Sequence, residues 1–201
     1  MDIQPWETLS DEQLLQYKIF DVRKVRRQSP RNGQDIGFFL ISTWDWVNVV
    51  AFTQDDELLM IRQYRHGSQN IELEIPGGVV EPQEDAQDAA ARELLEETGF
   101  AADKLSHLGT VNPNPALFTN RCSTYLATGC HKVAELQQDI GEDIEVTTIP
   151  LGEVEDRVVG LLAVNAVEDQ LALFGQVLKH HRPRLVHWCQ LRRVAKQHKR
   201  R

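Results

Sequence analysis

The chain has 201 residues, 41% hydrophobic and 26% charged, enough for one well-buried core and few for two. No apolar run approaches the ~20 residues needed to span a bilayer, and Cys122, Cys130 and Cys189 leave an odd thiol with no CxxC spacing, which argues against a membrane helix, a zinc knuckle and a disulfide framework. The formal net charge of -8 is unevenly spread: acidic residues crowd 72–97 and 139–156, and nothing after Asp169 is acidic. The basic end, with Arg192, Arg193, Lys196, Lys199, Arg200 and Arg201, has no interleaved aromatics or recognised nucleic-acid module. It reads as a solvated helix terminus, and nucleic acid is not an expected partner. Residues 1–6 lack the basic-then-apolar order of a secretory leader, so a reducing, cytoplasmic location is expected.

In chain order, Ser10 followed by Gln13 makes a capping-box pattern and predicts a short first helix over Leu9–Gln16. Tyr17–Arg26 and Ile36–Ser42, β-branched and aromatic, flank the turn-prone Ser29–Gly33 and predict a hairpin. Trp46–Phe52 and Glu57–Tyr64 are the next strands, followed by a short one over Ile71–Ile75 that ends at Pro76-Gly77-Gly78, where glycine frees the backbone for unusual dihedrals. A long helix from about Asp85 to Thr98 stops at Gly99, placed as a C′ glycine. Leu105–Val111, a proline-interrupted loop 112–120, and strands over Arg121–Thr128 and Ile144–Ile149 come next, and a late helix over Glu168–Lys179 places Leu171, Phe174, Gly175 and Leu178 on one face. Strands on both sides of a central helix, with a second helix late, predict an α/β/α layered domain on a mixed sheet.

The chemistry is concentrated in Gly78–Phe100. Successive residues turn ~100° on a helix, which puts Glu93, Glu96 and Glu97 within an arc of about 80–100°. Ala90, Ala91, Leu94 and Leu95 fall on the adjoining arc, so one side packs on a sheet and the other presents acid. Three carboxylates this close repel one another, raise one another's pKa and weaken the helix unless a cation neutralises them. With neither Cys nor His interleaved, these hard oxygen donors suit Mg²⁺ or Mn²⁺. Arg92 is placed to pair with Glu96 or a neighbouring carboxylate and to hold it in position. The plainer reading, a solvated acidic helix face, is favoured for an ordinary Glu-Glu pair but not for this spacing.

The segment matches G-x5-E-x7-R-E-U-x-E-E-x-G-U, with U an apolar residue, at every position. Its seven fixed residues, at typical frequencies of roughly 1/15 each, would meet by chance in a chain this long on the order of one time in a million. The match resembles the box that defines the Nudix hydrolases, and the likeness extends over about 17–179. The resemblance implies an α/β/α sandwich with a mixed sheet and an N-terminal β extension, divided as 1–40 (helix and hairpin, a possible dimerisation arm), 41–180 (hydrolase domain) and 181–201 (basic tail). It implies that Glu93 and Glu97 are the principal Mg²⁺ or Mn²⁺ ligands, that Glu96 shares that duty or acts in catalysis, that the Gly77 carbonyl completes the shell, and that Glu84 and Arg92 are structural partners. The acidic run Gly141–Val146 resembles the loop that can supply the general base in the subfamily described next, and the resemblance implies Glu142 for that role; its plainer reading is a solvated loop acid.

Gln63-Tyr64-Arg65 followed by Glu72–Gly78, with Pro115 about fifteen residues beyond the box, resembles the ADP-ribose pyrophosphatases and related nucleoside-diphosphate-sugar hydrolases. In that reading Arg65 binds the diphosphate or terminal ribose; the alternative is an edge-strand arginine in a surface ion pair. The subfamily commonly has Ala at the position of Gly77, and a Pro-Gly with an acidic residue where this chain reads Pro115–Arg121, so the sugar is left open. Members similar to this group are homodimers that exchange N-terminal strands and stack the base between aromatics. Phe20, Phe38, Trp44 and Trp46 are the candidates here, each also readable as core, and Arg23, Arg26 and Arg27 could add phosphate contacts. The expected activity is Mg²⁺-dependent hydrolysis of a nucleoside diphosphate sugar to a nucleoside monophosphate and a sugar phosphate. The alternatives are a dinucleoside polyphosphate or other nucleotide pyrophosphatase, and a ligand-binding regulator without turnover.

Overall fold

The computed structural model describes residues 2–137 and 141–154. The first three strands, β1 (Glu7–Gln16), β2 (Phe20–Gln28) and β3 (Asp35–Thr43), form an antiparallel sheet of their own in that order. The helix expected over Leu9–Gln16 is therefore corrected to a strand. Its capping pattern is outweighed by pairing along the whole length of β2, from Glu7 opposite Gln28 to Gln16 opposite Asp21, and by the Asp11–Arg23 ion pair across the two strands. Gly33 sits at φ 69° in the β2–β3 turn, where its N–H donates to the Ser29 carbonyl at 2.8 Å, and only glycine enters that region at no steric cost. β3 runs through residue 40 and ends at Thr43.

The remaining strands build an eight-stranded mixed sheet. Its path is β11 (Ile144–Pro150), β5 (Glu57–Arg65), β4 (Trp46–Thr53), β10 (Cys122–Lys132) and β8 (Phe100–Ala101). β6 (Asn70–Glu74) pairs with β5, β7 (Gly77–Val79) with β4, and β9 (Lys104–Val111) with β10; β4 and β10 are parallel. The single described helix, α1 (Ala86–Thr98), lays Ala89, Ala90 and Leu94 on Val47, Val49, Ala51, Leu59, Tyr125 and Ala127. Small residues on α1 allow close approach to the sheet, and an apolar side chain of Val or Leu size contributes about 1.5–3 kcal/mol when fully buried. The opposite face of the sheet carries a second core of Val50, Phe52, Leu58, Met60, Ile149, Leu151 and Val154. The architecture is α/β, as expected; the late helix over Glu168–Lys179, the basic tail and Cys189 lie outside the described residues. Among the described residues no helix is long and apolar enough to cross a membrane.

Two connections position the site. Asp85 caps α1 by accepting from the Gln87 N–H at 2.8 Å, and Gly99 ends it at φ 74° with its N–H on the Leu95 carbonyl. The chain after β10 then folds back on that end: Val133 and Ala134 donate to the Gly99 carbonyl and Gln137 to that of Glu96, which brings the approach to Glu142 against the helix. The loop between β9 and β10 joins the two sheets, because Ile41 of β3 donates to Leu117 and accepts from Thr119.

Candidate active site

Arg92 is the hub of the acidic helix. Its Nε and Nη2 form a two-pronged contact with Glu84 at 2.9 and 3.0 Å, Nη2 also reaches the Val79 carbonyl at 2.9 Å, and Nη1 donates to both Glu93 (2.9 Å) and Glu96 (3.0 Å). Glu84 in turn accepts from the Glu81 N–H, so this network ties the β7–α1 loop to the helix it precedes. The Arg92 contact holds the Glu84 carboxyl below the usual range, and Glu84 in return raises the guanidinium. Arg92 thus contacts Glu96, the pairing the helix spacing suggests, and Glu84, the partner the resemblance implies.

Glu97 is 3% exposed, and its Oε2 accepts from the Gly77 N–H at 2.8 Å. Burial pushes its carboxyl up to about 8, the Gly77 N–H works against this, and the negative fields of Glu93 and Glu142 add to it. Burial likewise raises Glu93, opposed by Arg92 and reinforced by Glu96 and Glu142. Glu93, Glu97 and Glu142 therefore share one electrostatic environment, although Glu142 lies 45 positions after Glu97 in the chain. Glu96 and Glu93 meet at the same Arg92 nitrogen, and Glu96 adds its negative field to Glu93 while its own side chain is 40% exposed. Among the described residues no group of three Asp, Glu, His or Cys side chains is already gathered as a ligand set.

The two glycines ahead of the helix are needed for space and not for dihedral freedom, a correction to the sequence reading. Neither has a positive φ. A Cβ on Gly78 would run into the Glu93 carboxylate, and one on Gly77 into the Val47 carbonyl oxygen. The alanine common at the latter position in the resembling subfamily would have to move β7 away from β4 here, where Gly77 lies opposite Asn48.

Arg65, at the end of β5, places Nε and Nη2 on Glu74 Oε2 at 2.9 and 2.6 Å. Burial would lower its pKa, but the Glu74 bond and the charges of Glu74, Glu97 and Glu142 outweigh that and raise it. The ion pair given as the plain alternative exists, and it stands within the field of the acidic cluster. The aromatics are less central. Trp44 and Trp46 are 44% and 45% exposed, Phe38 is 38% exposed with its ring edge-on to Trp6, and Phe20 is half-buried against Tyr17, so the core-packing alternative is overturned for the first three. Phe20 and Phe38 belong to the N-terminal sheet, and Trp46 lies opposite Val79 of β7. Arg23 and Arg26 are paired with Asp11 and Asp35 of their own sheet.

A family model described as NUDIX domain matches residues 44–170, more than half of the chain. The chain belongs to the Nudix family. Among curated Nudix relatives, an ADP-ribose pyrophosphatase of Bacillus subtilis is 29% identical over 147 residues, covering 72% of this chain and 78% of the relative. An ADP-ribose pyrophosphatase of Mycobacterium tuberculosis is 29% identical over 175 residues, covering 81% and 84%. A solved structure described as an ADP compounds hydrolase superposes with a TM-score of 0.78 at 26% identity, covering 90% of this chain and 98% of that one. The resemblance to the ADP-ribose pyrophosphatase subfamily thus holds across most of the chain, and the protein is a Nudix pyrophosphohydrolase.

The residues present fit the divalent ion that Nudix hydrolases generally use. Glu93 and Glu97 are hard oxygen donors held largely out of water beside Glu142, an arrangement whose mutual repulsion a cation would relieve. Sequence reasoning passed over Glu74 as the partner of Arg65 and Gly78 as the cradle of Glu93. The signal for Glu74 was the two-residue alternation of β6 against β5, where Glu74 lies opposite Ile61.

Proposed function

We propose that this Nudix protein hydrolyses the diphosphate bond of a nucleoside diphosphate sugar such as ADP-ribose, releasing a nucleoside monophosphate and a sugar phosphate. The observation that carries the reading is geometric: Glu97, buried and bonded to the Gly77 N–H, and Glu93, held by Arg92, share one environment with Glu142 and with the Arg65–Glu74 pair. Glu93 and Glu97, with the Gly77 carbonyl and Glu96 in support, would hold Mg²⁺ or Mn²⁺. When bound, the ion supplies charge neutralisation of the diphosphate and polarisation of the scissile bond. Glu142 takes a proton from the attacking water as its oxygen bonds to phosphorus, and the bridging P–O bond breaks with its electrons leaving on the departing phosphate. Arg65, pre-oriented by Glu74, contacts the diphosphate or adjoining ribose, and Arg92 keeps Glu93 and Glu84 in register.

The N-terminal sheet serves as a homodimerisation arm in this reading. The support is its run of exposed apolar residues, Leu9, Leu14, Leu15, Phe38 and Phe39, with Trp44 and Trp46 beside it available to stack on a base. Buried, unpaired Cys122 and Cys130 accord with a cytoplasmic location. A dinucleoside polyphosphate or other nucleotide pyrophosphatase is the second reading, favoured by the Escherichia coli relative named ADP compounds hydrolase NudE, 32% identical over 102 residues, which cover 51% of this chain and 54% of that relative. The test is a panel of nucleotide sugars and dinucleoside polyphosphates with Mg²⁺. AMP or GMP release from at least one nucleotide sugar is expected; release from dinucleoside polyphosphates alone would select the second reading, and no turnover of any diphosphate would leave a binding regulator.

A further inference from the structure

Gln63 has no part in the reaction described so far. It is 6% exposed, and its Oε1 is buried without a hydrogen-bond partner among the described residues. Buried side-chain acceptors are usually paired, so an orphan at the edge of a site calls for a ligand. Its place in the sheet says where it points. Leu59 of β5 packs in the α1-side core, and the two-residue alternation of the strand puts Ile61, Gln63 and Arg65 on that same face. Val146, opposite Ile61, also packs on that core, and Ile144 lies opposite Gln63. Gln63 is therefore the last step of the β5 floor before Arg65, whose field contains Glu97 and Glu142.

The chemistry of the missing partner is restricted. An amide oxygen accepts only from a donor, whereas the phosphate oxygens of a diphosphate and ionised carboxylates such as Glu97 and Glu142 are acceptors. Two strand positions separate Gln63 from Arg65, about 7 Å, so the donor belongs to a part of the substrate adjoining the diphosphate and not to the distant base. We propose that Gln63 is a specificity-determining residue whose Oε1 accepts a hydrogen bond from a hydroxyl of the sugar on the far side of the scissile diphosphate. This rests on the nucleotide-sugar reading given above.

The test compares wild type and Gln63→Met on ADP-ribose and on the methyl ester of ADP, which keeps the diphosphate and has no hydroxyl on its second half. Met keeps the length of the side chain and removes the acceptor. Loss of one buried hydrogen bond to a hydroxyl predicts a fall of about 10–100-fold in kcat/KM for ADP-ribose, carried mainly by KM, with the methyl ester changed by less than about twofold. The free variant should melt no lower than wild type, because an orphan acceptor has been removed. Equal losses on both substrates, no loss on ADP-ribose, or a melting temperature several degrees lower would each overturn the proposal. Wild type that turns over no nucleotide sugar of the panel above would overturn the nucleotide-sugar reading itself, a result separable from any property of the variant.

Discussion

In the eight-stranded sheet Val49, Ala51, Leu58, Leu59 and Ile61 have no exposed surface, whereas in β1–β3 Val25 is the one buried apolar side chain. The large sheet is held by two apolar cores, one on each face, and carries Arg65 and Glu74 of the proposed site, whose other charged groups lie on α1 and on the loops holding Glu84 and Glu142. The small sheet is held by backbone ladders and cross-strand ion pairs such as Arg23–Asp11, and it turns leucines and phenylalanines outward. A surface ion pair contributes little, typically under about 1 kcal/mol, so the small sheet gains most from whatever covers its apolar side. The division suggests that chemistry belongs to the body around α1 and assembly to the N-terminal strands. Substitutions on the two sides should therefore separate catalysis from assembly.

The largest effect is expected at Glu97. Glu97→Gln should lower kcat on the best substrate by about 10³-fold or more, since neutralisation by a bound ion is worth several kcal/mol, while circular dichroism remains that of the folded protein. Metal-free stability should respond in the opposite sense. The folded Glu97 carboxyl titrates near 8 and the unfolded one near 4.5, so between these values the folded form keeps a proton the unfolded form has lost. Stability of metal-free wild type should fall as pH rises from about 4.5 to about 8, and urea melts of Glu97→Gln should show a smaller fall. Full activity in the variant would break the assignment.

Arg92→Ala comes next. It removes contacts to Glu84, Glu93, Glu96 and Val79 together, and because the side chain is partly exposed a loss of about 2–3 kcal/mol by urea denaturation is expected, with turnover down about 10–100-fold. Gly78→Ala should act more narrowly, displacing the Glu93 carboxylate and weakening Mn²⁺ binding by about 10-fold, as read by electron paramagnetic resonance, with little change in melting. The smallest effect on chemistry is expected in the other sheet. If the N-terminal sheet is the proposed dimerisation arm, light scattering should report a dimer for wild type and a monomer for Phe39→Ser, with the stability of the single chain changed by no more than about 0.5 kcal/mol. A loss of turnover as large as that of Arg92→Ala would erase the division between the sheets.

The legibility of the sequence follows the same division. Helix α1 was readable to its ends because Asp85 and Gly99 act locally, through one capping bond and one left-handed residue. β4 and β5 were readable from their apolar runs. β1 was not, since all ten of its residues are exposed, its leucines follow no clear period, and its conformation is decided by the partner strand and not by the capping pattern. β7 and β8, of three and two residues, likewise exist only through pairing. At the site, spacing along one helix singled out Glu93, Glu96, Glu97 and Arg92, but not that one Arg92 nitrogen would contact both Glu93 and Glu96. The need for space at Gly77 and Gly78, in place of dihedral freedom, is not legible because the obstacle to a side chain comes from Val47 on another strand and from Glu93 within α1, contacts that only the folded structure brings together.

The account rests on Glu93 and Glu97 forming the divalent-ion centre, and calorimetric titration of Mg²⁺ or Mn²⁺ at pH 8 tests this most directly. At that pH the Glu97 carboxyl, raised to about 8, is partly protonated, so metal uptake by wild type should release a fraction of a proton, detectable as a binding enthalpy that changes with the ionisation enthalpy of the buffer. Glu97→Gln should bind at least about 10-fold more weakly and lose the buffer dependence. A variant that binds the ion with wild-type affinity and the same proton release would contradict the account.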